Sequence, residues 1–216
     1  MTISAVIFDL NGTVLDDEEE YGKAFNKVLK SLGVESGVKY PQTMGIGVKN
    51  NWPLLLTKFN INTKKSLDLL TKETQDSYIN EVSEISVRPG FEDFAERLKE
   101  NGVLIALATS NTWEVVDKVL EKVSLNNYFD ELTTADEVVY TKPDPDIFIK
   151  TADKLSVERS GCLVIEDAPS GVKAAHRAGM KVIAIAGEEK FAESLQDADL
   201  VVEGFSEITP KVLSEL

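Results

Sequence analysis

Val6-Ile7-Phe8-Asp9-Leu10-Asn11-Gly12-Thr13 is the stretch that decides how this chain is read. An apolar run of strand length ends in a carboxylate, and a glycine follows where the chain must turn. Ligands of open α/β sheets bind beyond the carboxyl ends of the strands. Asp9 therefore stands where chemistry is usual, although the octapeptide alone also fits an Asp that simply ends a strand. Similar runs recur at 103–108, 162–165, 182–186 and 200–202, with a weaker one at 129–132. They are unbroken and mostly rich in Val and Ile, the pattern of strands buried on both faces.

Helical patterns lie between the runs. Phe91, Phe94, Ala95 and Leu98 precede Gly102. Val115, Val116, Val119, Leu120 and Val123 follow Asn111 and Thr112. Val172, Ala174, Ala175 and Ala178 precede Gly179. Polar caps and terminal glycines bound them as helices. The alternation predicts a doubly wound, mainly parallel, Rossmann-like α/β sheet. Residues 17–85 break it. Tyr21, Ala24, Phe25, Val28 and Leu32 mark a helix ending at Gly33, and 52–83 reads as two or three more. The expected organisation is a core domain of 1–16 and 86–216 with an inserted helical cap domain, 17–85. Hinges are expected near 15–17 and 86–89.

The chain has 216 residues, 43% hydrophobic and 28% charged, which excludes a wholly disordered or collagen-like protein. Its one Cys forms no internal disulfide and no CxxC zinc site, so a reducing, cytoplasmic location is expected. A net charge of −14 argues against nucleic acid and anionic membranes as partners. It leaves room for a small anionic ligand, because a site can be locally positive. Met1–Asp9 lacks a basic segment and is not expected to be a signal peptide. No run reaches the roughly 20 apolar residues of a membrane span.

Three more strand ends carry polar clusters. Residues 105–108 run into Thr109-Ser110-Asn111 ahead of a helix, a place that favours anions; an N-cap cluster is the plainer reading. Tyr140-Thr141-Lys142-Pro143-Asp144-Pro145 holds a lysine where prolines restrict the backbone. Residues 163–165 run into Glu166-Asp167-Ala168-Pro169-Ser170-Gly171. Adjacent carboxylates repel unless a cation or hydrogen bonds offset the cost, and such oxygen-rich sites suit Mg²⁺; capping of the next helix is the alternative.

Taken together and in this order, the four stations resemble the motifs of the haloacid dehalogenase-like (HAD) superfamily, in the β-phosphoglucomutase-like and phosphatase branch with a helical cap. The resemblance covers essentially the whole chain. It implies Asp9 as the nucleophile that becomes an aspartyl phosphate, Thr109 as a hydroxyl on the transferring phosphoryl group, and Lys142 as the cation that neutralises both. It implies Mg²⁺ held by Asp9, the backbone carbonyl of Asn11 and Asp167, with Glu166 helping to hold the site. Ser110, Asn111 and Lys49 are expected to bind substrate. The implied partner is a small phosphorylated metabolite, a sugar phosphate or similar monoester, and the chain is expected to be a monomer.

One position departs from the family. Where the pattern is Asp-x-Asp, this chain has Asp9-Leu10-Asn11. The missing aspartate is the family's general acid and base, a function worth about 10²–10⁴-fold, and an amide cannot titrate in its place. Three explanations stay open: another group positions the water, the Asn was introduced to trap an intermediate, or the protein binds phosphate without turnover. The first cap helix also lacks the mutases' histidine near Tyr21. The only histidine, His176, lies in the helix after Gly171 and is expected to be solvated or to cap. A phosphohydrolase is therefore the leading expectation, with a phosphate-binding pseudoenzyme and a β-phosphoglucomutase-type transferase as rivals.

Overall fold

Six parallel strands form the central sheet of the computed structural model, which describes residues 3–81, 84–186 and 193–216. In chain order the strands are β1 (Ala5–Phe8), β2 (Leu15–Asp16), β3 (Ser86–Val87), β4 (Leu104–Ala108), β5 (Glu131–Thr133), β6 (Cys162–Glu166), β7 (Lys181–Ile185) and β8 (Leu200–Val202). The sheet order is β5-β4-β1-β6-β7-β8, and β2 and β3 form a separate two-stranded ribbon. All five neighbouring pairs of the large sheet are parallel. The doubly wound architecture expected from the alternation is the one observed.

The apolar runs become strands because both faces are covered. Side chains alternate across a strand, so Val6 and Phe8 enter one layer of the core and Ala5 and Ile7 the other. The first layer holds α4 (Phe91–Glu100) and α5 (Trp113–Lys122). The second holds α6 (Asp146–Leu155) and α7 (Pro169–Arg177). Phe8 meets Phe91 and Phe94 edge-on, with ring centroids 5.4 and 6.0 Å apart, a favoured aromatic geometry. β1 is thus clamped at the centre of the sheet, and Asp9 follows it directly.

The sequence reading did not identify α6. Ile147, Phe148, Thr151, Ala152 and Leu155 are buried at helical spacing, but the pattern starts immediately behind Pro143-Asp144-Pro145, which reads as loop. A last short helix, α8 (Pro210–Glu215), was also unread. Strand ends otherwise shift by one or two residues.

Between β2 and β3 lie α1 (Glu18–Ser31), α2 (Val48–Lys58) and α3 (Leu67–Asn80), with no strand among the described residues. Ser66 caps α3 by accepting the Leu69 N–H at 3.2 Å. Phe25, Trp52 and Leu70 are buried among these helices, and the Trp52 indole donates to Thr74 Oγ1 at 3.1 Å. The chain enters and leaves this helical block through the ribbon, where Leu15 pairs with Val87 and Asp16 with Ser86, antiparallel.

Candidate active site

The floor of the site is built at the ends of β4, β1 and β6, three adjacent strands. Lys142 reaches them from the loop before α6. Its Nζ donates to Asp9 Oδ1 at 2.5 Å, to Glu166 Oε1 at 2.6 Å and to the Ala108 carbonyl at 3.1 Å. An ammonium has three N–H donors, and all three are used. Glu166 is locked from its other side, since Oε2 accepts the backbone N–H groups of Asp167 and Ala168, each at 2.9 Å. Asp167 sits across from the β1 turn, where Thr13 Oγ1 donates to it at 3.2 Å. Gly12 takes a positive φ of 75°, and a Cβ there would collide with the Asp167 carboxylate. The glycine is therefore what allows the β1 turn to approach that acid.

Burial and charge oppose one another here. Burial pushes the Asp9 carboxyl up to about 7, against the pull of Lys142. Burial alone would lower Lys142, but the carboxylates of Asp9 and Glu166 outweigh it and hold the ammonium above its usual range. Asp167 is driven well above the carboxylate range by burial and then by repulsion from Glu166, Glu18 and Asp9. Negative charge is in surplus around one buried cation.

The roof is different. Asn11 Nδ2 donates to Asp17 Oδ2 at 2.5 Å and to Tyr78 Oη at 3.1 Å, while Asn11 Oδ1 accepts from Asn111 Nδ2 at 2.6 Å. Asn111 Oδ1 accepts the Tyr21 hydroxyl at 2.7 Å, and the Tyr78 hydroxyl donates to Asp17. Asp17 Oδ1 accepts the Gly12 N–H at 3.1 Å. Asp17 occupies the N-cap of α1 but makes no cap bond, because its carboxylate is turned to this network. The rings of Tyr21 and Tyr78 stack at 3.8 Å. Burial raises Asp17 to about 6, with Tyr78, Asn11 and Gly12 holding it down.

A cavity of about 60 Å³ lies between floor and roof, lined in part by Asp9, Asn11, Glu18, Gln42 and Thr109. Ser110 and Asn111 also line it, and Ser110 Oγ donates to the Gly45 carbonyl at 3.2 Å. Of the residues singled out from sequence, Asp9, Asn11, Thr109, Ser110, Asn111, Lys142, Glu166 and Asp167 are brought to this one place. Lys49 is not. It lies on the outside of α2, paired with Asp68 of α3 at 2.7 Å, both side chains exposed. That partner is 19 residues away in sequence, and the lysine lines an adjoining pocket with Ser110 and Lys142 rather than the cavity. His176 is exposed and pairs with Asp199 at 3.0 Å, as a solvated residue would. Asp17, Glu18, Gln42 and Tyr78 were missed. Asp17 reads as the start of a helix, and only the folded chain brings Tyr78 to it.

A model of the haloacid dehalogenase-like hydrolases matches residues 6–185. The chain belongs to the haloacid dehalogenase-like hydrolases. It is 32% identical to a phosphorylated carbohydrates phosphatase of Thermotoga maritima, over 84% of each chain. It is 29% identical to hexitol phosphatase B of Escherichia coli K12, over 98% of this chain and 96% of that one. The β-phosphoglucomutase structure from Clostridium difficile superposes with a TM-score of 0.86 at 25% identity, covering 99% of this chain and 96% of that one. Among the described residues no helix is long and apolar enough to cross a membrane.

The donor set of this HAD-family site fits Mg²⁺. Among the described residues no three His, Cys, Asp or Glu side chains converge on one point. Mg²⁺ does not require that, since it is commonly held by one or two carboxylates and keeps several waters. The surplus of buried negative charge around Asp9 and Asp167 is what a divalent cation would relieve. Both Glu166 oxygens are already engaged, one by Lys142 and the other by two backbone N–H groups.

Proposed function

We propose that this chain is a Mg²⁺-dependent phosphatase of small phosphorylated metabolites, of the phosphorylated carbohydrate or polyol kind, working through an aspartyl phosphate on Asp9. The observation that carries the reading is the buried Lys142 joined to Asp9 and Glu166 at the ends of adjacent strands. A carboxylate attacking an anionic ester needs its repulsion screened, and a fixed cation in a dry site does this without reorganising. The relatives named as phosphatases of carbohydrate and hexitol phosphates support the same class. Asp9, the Asn11 carbonyl and Asp167 are the residues that would hold the metal; when bound, it supplies positive charge to the phosphoryl oxygens.

An Asp9 oxygen bonds to phosphorus while the ester P–O bond breaks, and the electron pair leaves with the departing oxygen. That oxygen takes a proton from water, because Asn11 has none to give at neutral pH and both ends of its amide are bound. Water then attacks phosphorus, loses its proton to solvent and displaces the Asp9 carboxylate, releasing inorganic phosphate. Lys142 stays on Asp9 throughout. Thr109, with Ser110 and Asn111 beyond it, faces the phosphoryl position. Residues 17–85 act as the cap that excludes water, swinging on the β2–β3 ribbon.

Esters with good leaving groups are expected to be cleaved fastest, since they need the proton least. The test is phosphate release with Mg²⁺ from acyl, aryl and polyol phosphates, for the native chain and Asp9→Asn. Release by the native chain alone, with acid-stable, hydroxylamine-labile phosphate trapped on it, is the expected result. Binding of phosphate esters without phosphoenzyme would overturn the reading in favour of a phosphate-binding protein.

A further inference from the structure

The roof of the cavity contains an amide with nothing to hold. Gln42 Nε2 and Oε1 are both inaccessible to solvent, and neither has a hydrogen-bond partner among the described residues. The residue lines the cavity together with Asp9. It lies close enough to Glu18 to favour the carboxylate, without reaching hydrogen-bonding geometry. Its loop is fixed from behind: Asn51 Oδ1 accepts the Thr43 N–H at 2.6 Å, and Asn51 Nδ2 donates to the carbonyls of Thr43 and Gly47, each at 2.9 Å. A rigid backbone presenting an unsatisfied buried amide is a destabilised arrangement in the free protein. A bound group that both donates and accepts would satisfy it.

Charge narrows that group. None of the described residues lining the cavity is Lys, Arg or His. The two ionisable carboxyls in its wall are Asp9 and Glu18. Lys142 lies beneath Asp9 with every N–H used, and Lys49 is outside with Asp68. Burial, and then the field of Asp17 and Asp9, holds the Glu18 carboxyl up at about 8, against the weaker pull of Gln42 and Arg88. A second anion on the substrate would meet no cation among the described residues lining the cavity.

We infer that this cavity selects monophosphate esters whose remaining part is an uncharged, hydroxyl-bearing carbon chain, and that the Gln42 amide reads the hydroxyl. The inference rests on the phosphatase reading above and sharpens it. A hydroxyl offers one donor and two acceptor sites, which meets the two faces of the amide. A carboxylate or second phosphate offers acceptors alone, leaves Gln42 Oε1 unmet and finds no counter-ion among the described residues lining the cavity. Esters carrying two phosphates and phosphorylated carboxylic acids are the classes excluded.

The experiment measures kcat/KM with Mg²⁺ for sorbitol 6-phosphate, glycerol 3-phosphate, ethyl phosphate, 2-phosphoglycolate and fructose 1,6-bisphosphate, on the native chain and Gln42→Met. The polyol monophosphates are expected to exceed phosphoglycolate and the bisphosphate by at least about a hundredfold. In Gln42→Met the preference for sorbitol 6-phosphate over ethyl phosphate should fall about tenfold. The melting temperature should hold or rise, because the substitution removes an unsatisfied buried amide. Equal turnover of the bisphosphate, or an unaltered preference in the variant, overturns the inference. Phosphate release from none of the esters overturns the phosphatase reading instead. Calorimetric binding of the same five compounds to both proteins then decides the inference separately: the same ranking supports it, and equal affinities sink it.

Discussion

Floor and roof of the cavity solve the same problem, burying polar groups, in opposite ways. The floor is ionic: a lysine fully enclosed between two carboxylates, with Glu166 pinned by two backbone N–H groups. The roof is mostly neutral. Two asparagines and two tyrosines pass hydrogen bonds across to one carboxylate, Asp17. The floor stands on strand ends, whose positions follow from the sheet. The roof is assembled from helices and loops that come together only when the helical block rests on the sheet. In the proposed phosphatase, charge fixed to a rigid frame suits the step at phosphorus, and the hydrogen-bonded roof faces the rest of the ester.

The sharpest way to break this contrast is to empty the floor. Lys142→Met leaves Asp9 and Glu166 facing each other without their cation. Activity should fall by about 10³-fold or more, and stability at neutral pH by about 3–5 kcal/mol; chemical denaturation and phosphate release measure the two together.

The next effect tests the roof at Asn11. Asn11→Asp alone would set two carboxylates 2.5 Å apart, since Asp17 already occupies the far end of that amide. They would share a proton. The exchange Asn11→Asp with Asp17→Asn keeps one charge and one amide in the pair. It is expected to raise kcat on a polyol phosphate by about 10²-fold or more, with the single Asn11→Asp change giving less. A single change that equals the exchange would show that Asp17 does not constrain the position.

The third prediction concerns pH. Asp9, Asp17 and Glu18 are held up at about 7, 6 and 8. The folded chain therefore keeps protons that the unfolded chain has lost. Stability from these groups is full below about pH 4 and is lost as pH rises through 6 to 8. Without metal the melting temperature should fall across that range, and Mg²⁺ should restore part of it at pH 8. A flat profile, with or without Mg²⁺, would mean that the carboxyl cluster is not held as described. The smallest effect is expected at Lys49→Ala, which breaks an exposed pair with Asp68: less than about 1 kcal/mol and less than about twofold in kcat/KM.

The same contrast explains what could be read in advance. Asp9, Thr109 and Glu166-Asp167 are each the last word of an apolar run, so local periodicity located them and the sheet order brought them together. Lys142 lies on a loop, and it was the resemblance to a family that gave it a role. Asn11 and Asn111 of the roof follow strand ends and were legible in the same way, but the rest of the roof left no such trace. Tyr78 looks like one apolar residue of a helix, and Asp17 like a helix cap; their contact spans 61 residues of chain. Gln42 has no pattern at all, since its meaning is the absence of a partner. Lys49 could be read from sequence as a substrate contact or as a surface lysine, and its exposed pair with Asp68 appears only in the fold. The helix α6 was hidden by the prolines before it, whose loop signal outweighed five buried positions at helical spacing.

The β2–β3 ribbon has a topological consequence. Leu15 and Val87 are ladder partners, so their Cα atoms lie about 5 Å apart, although 71 residues of chain separate them. A break at this point leaves two ends that one short link can join. The sheet order β5-β4-β1-β6-β7-β8 does not depend on what is spliced between them. The helical block is thus tied to the sheet at one narrow place, and Lys142, Asp9 and Glu166 all lie outside it.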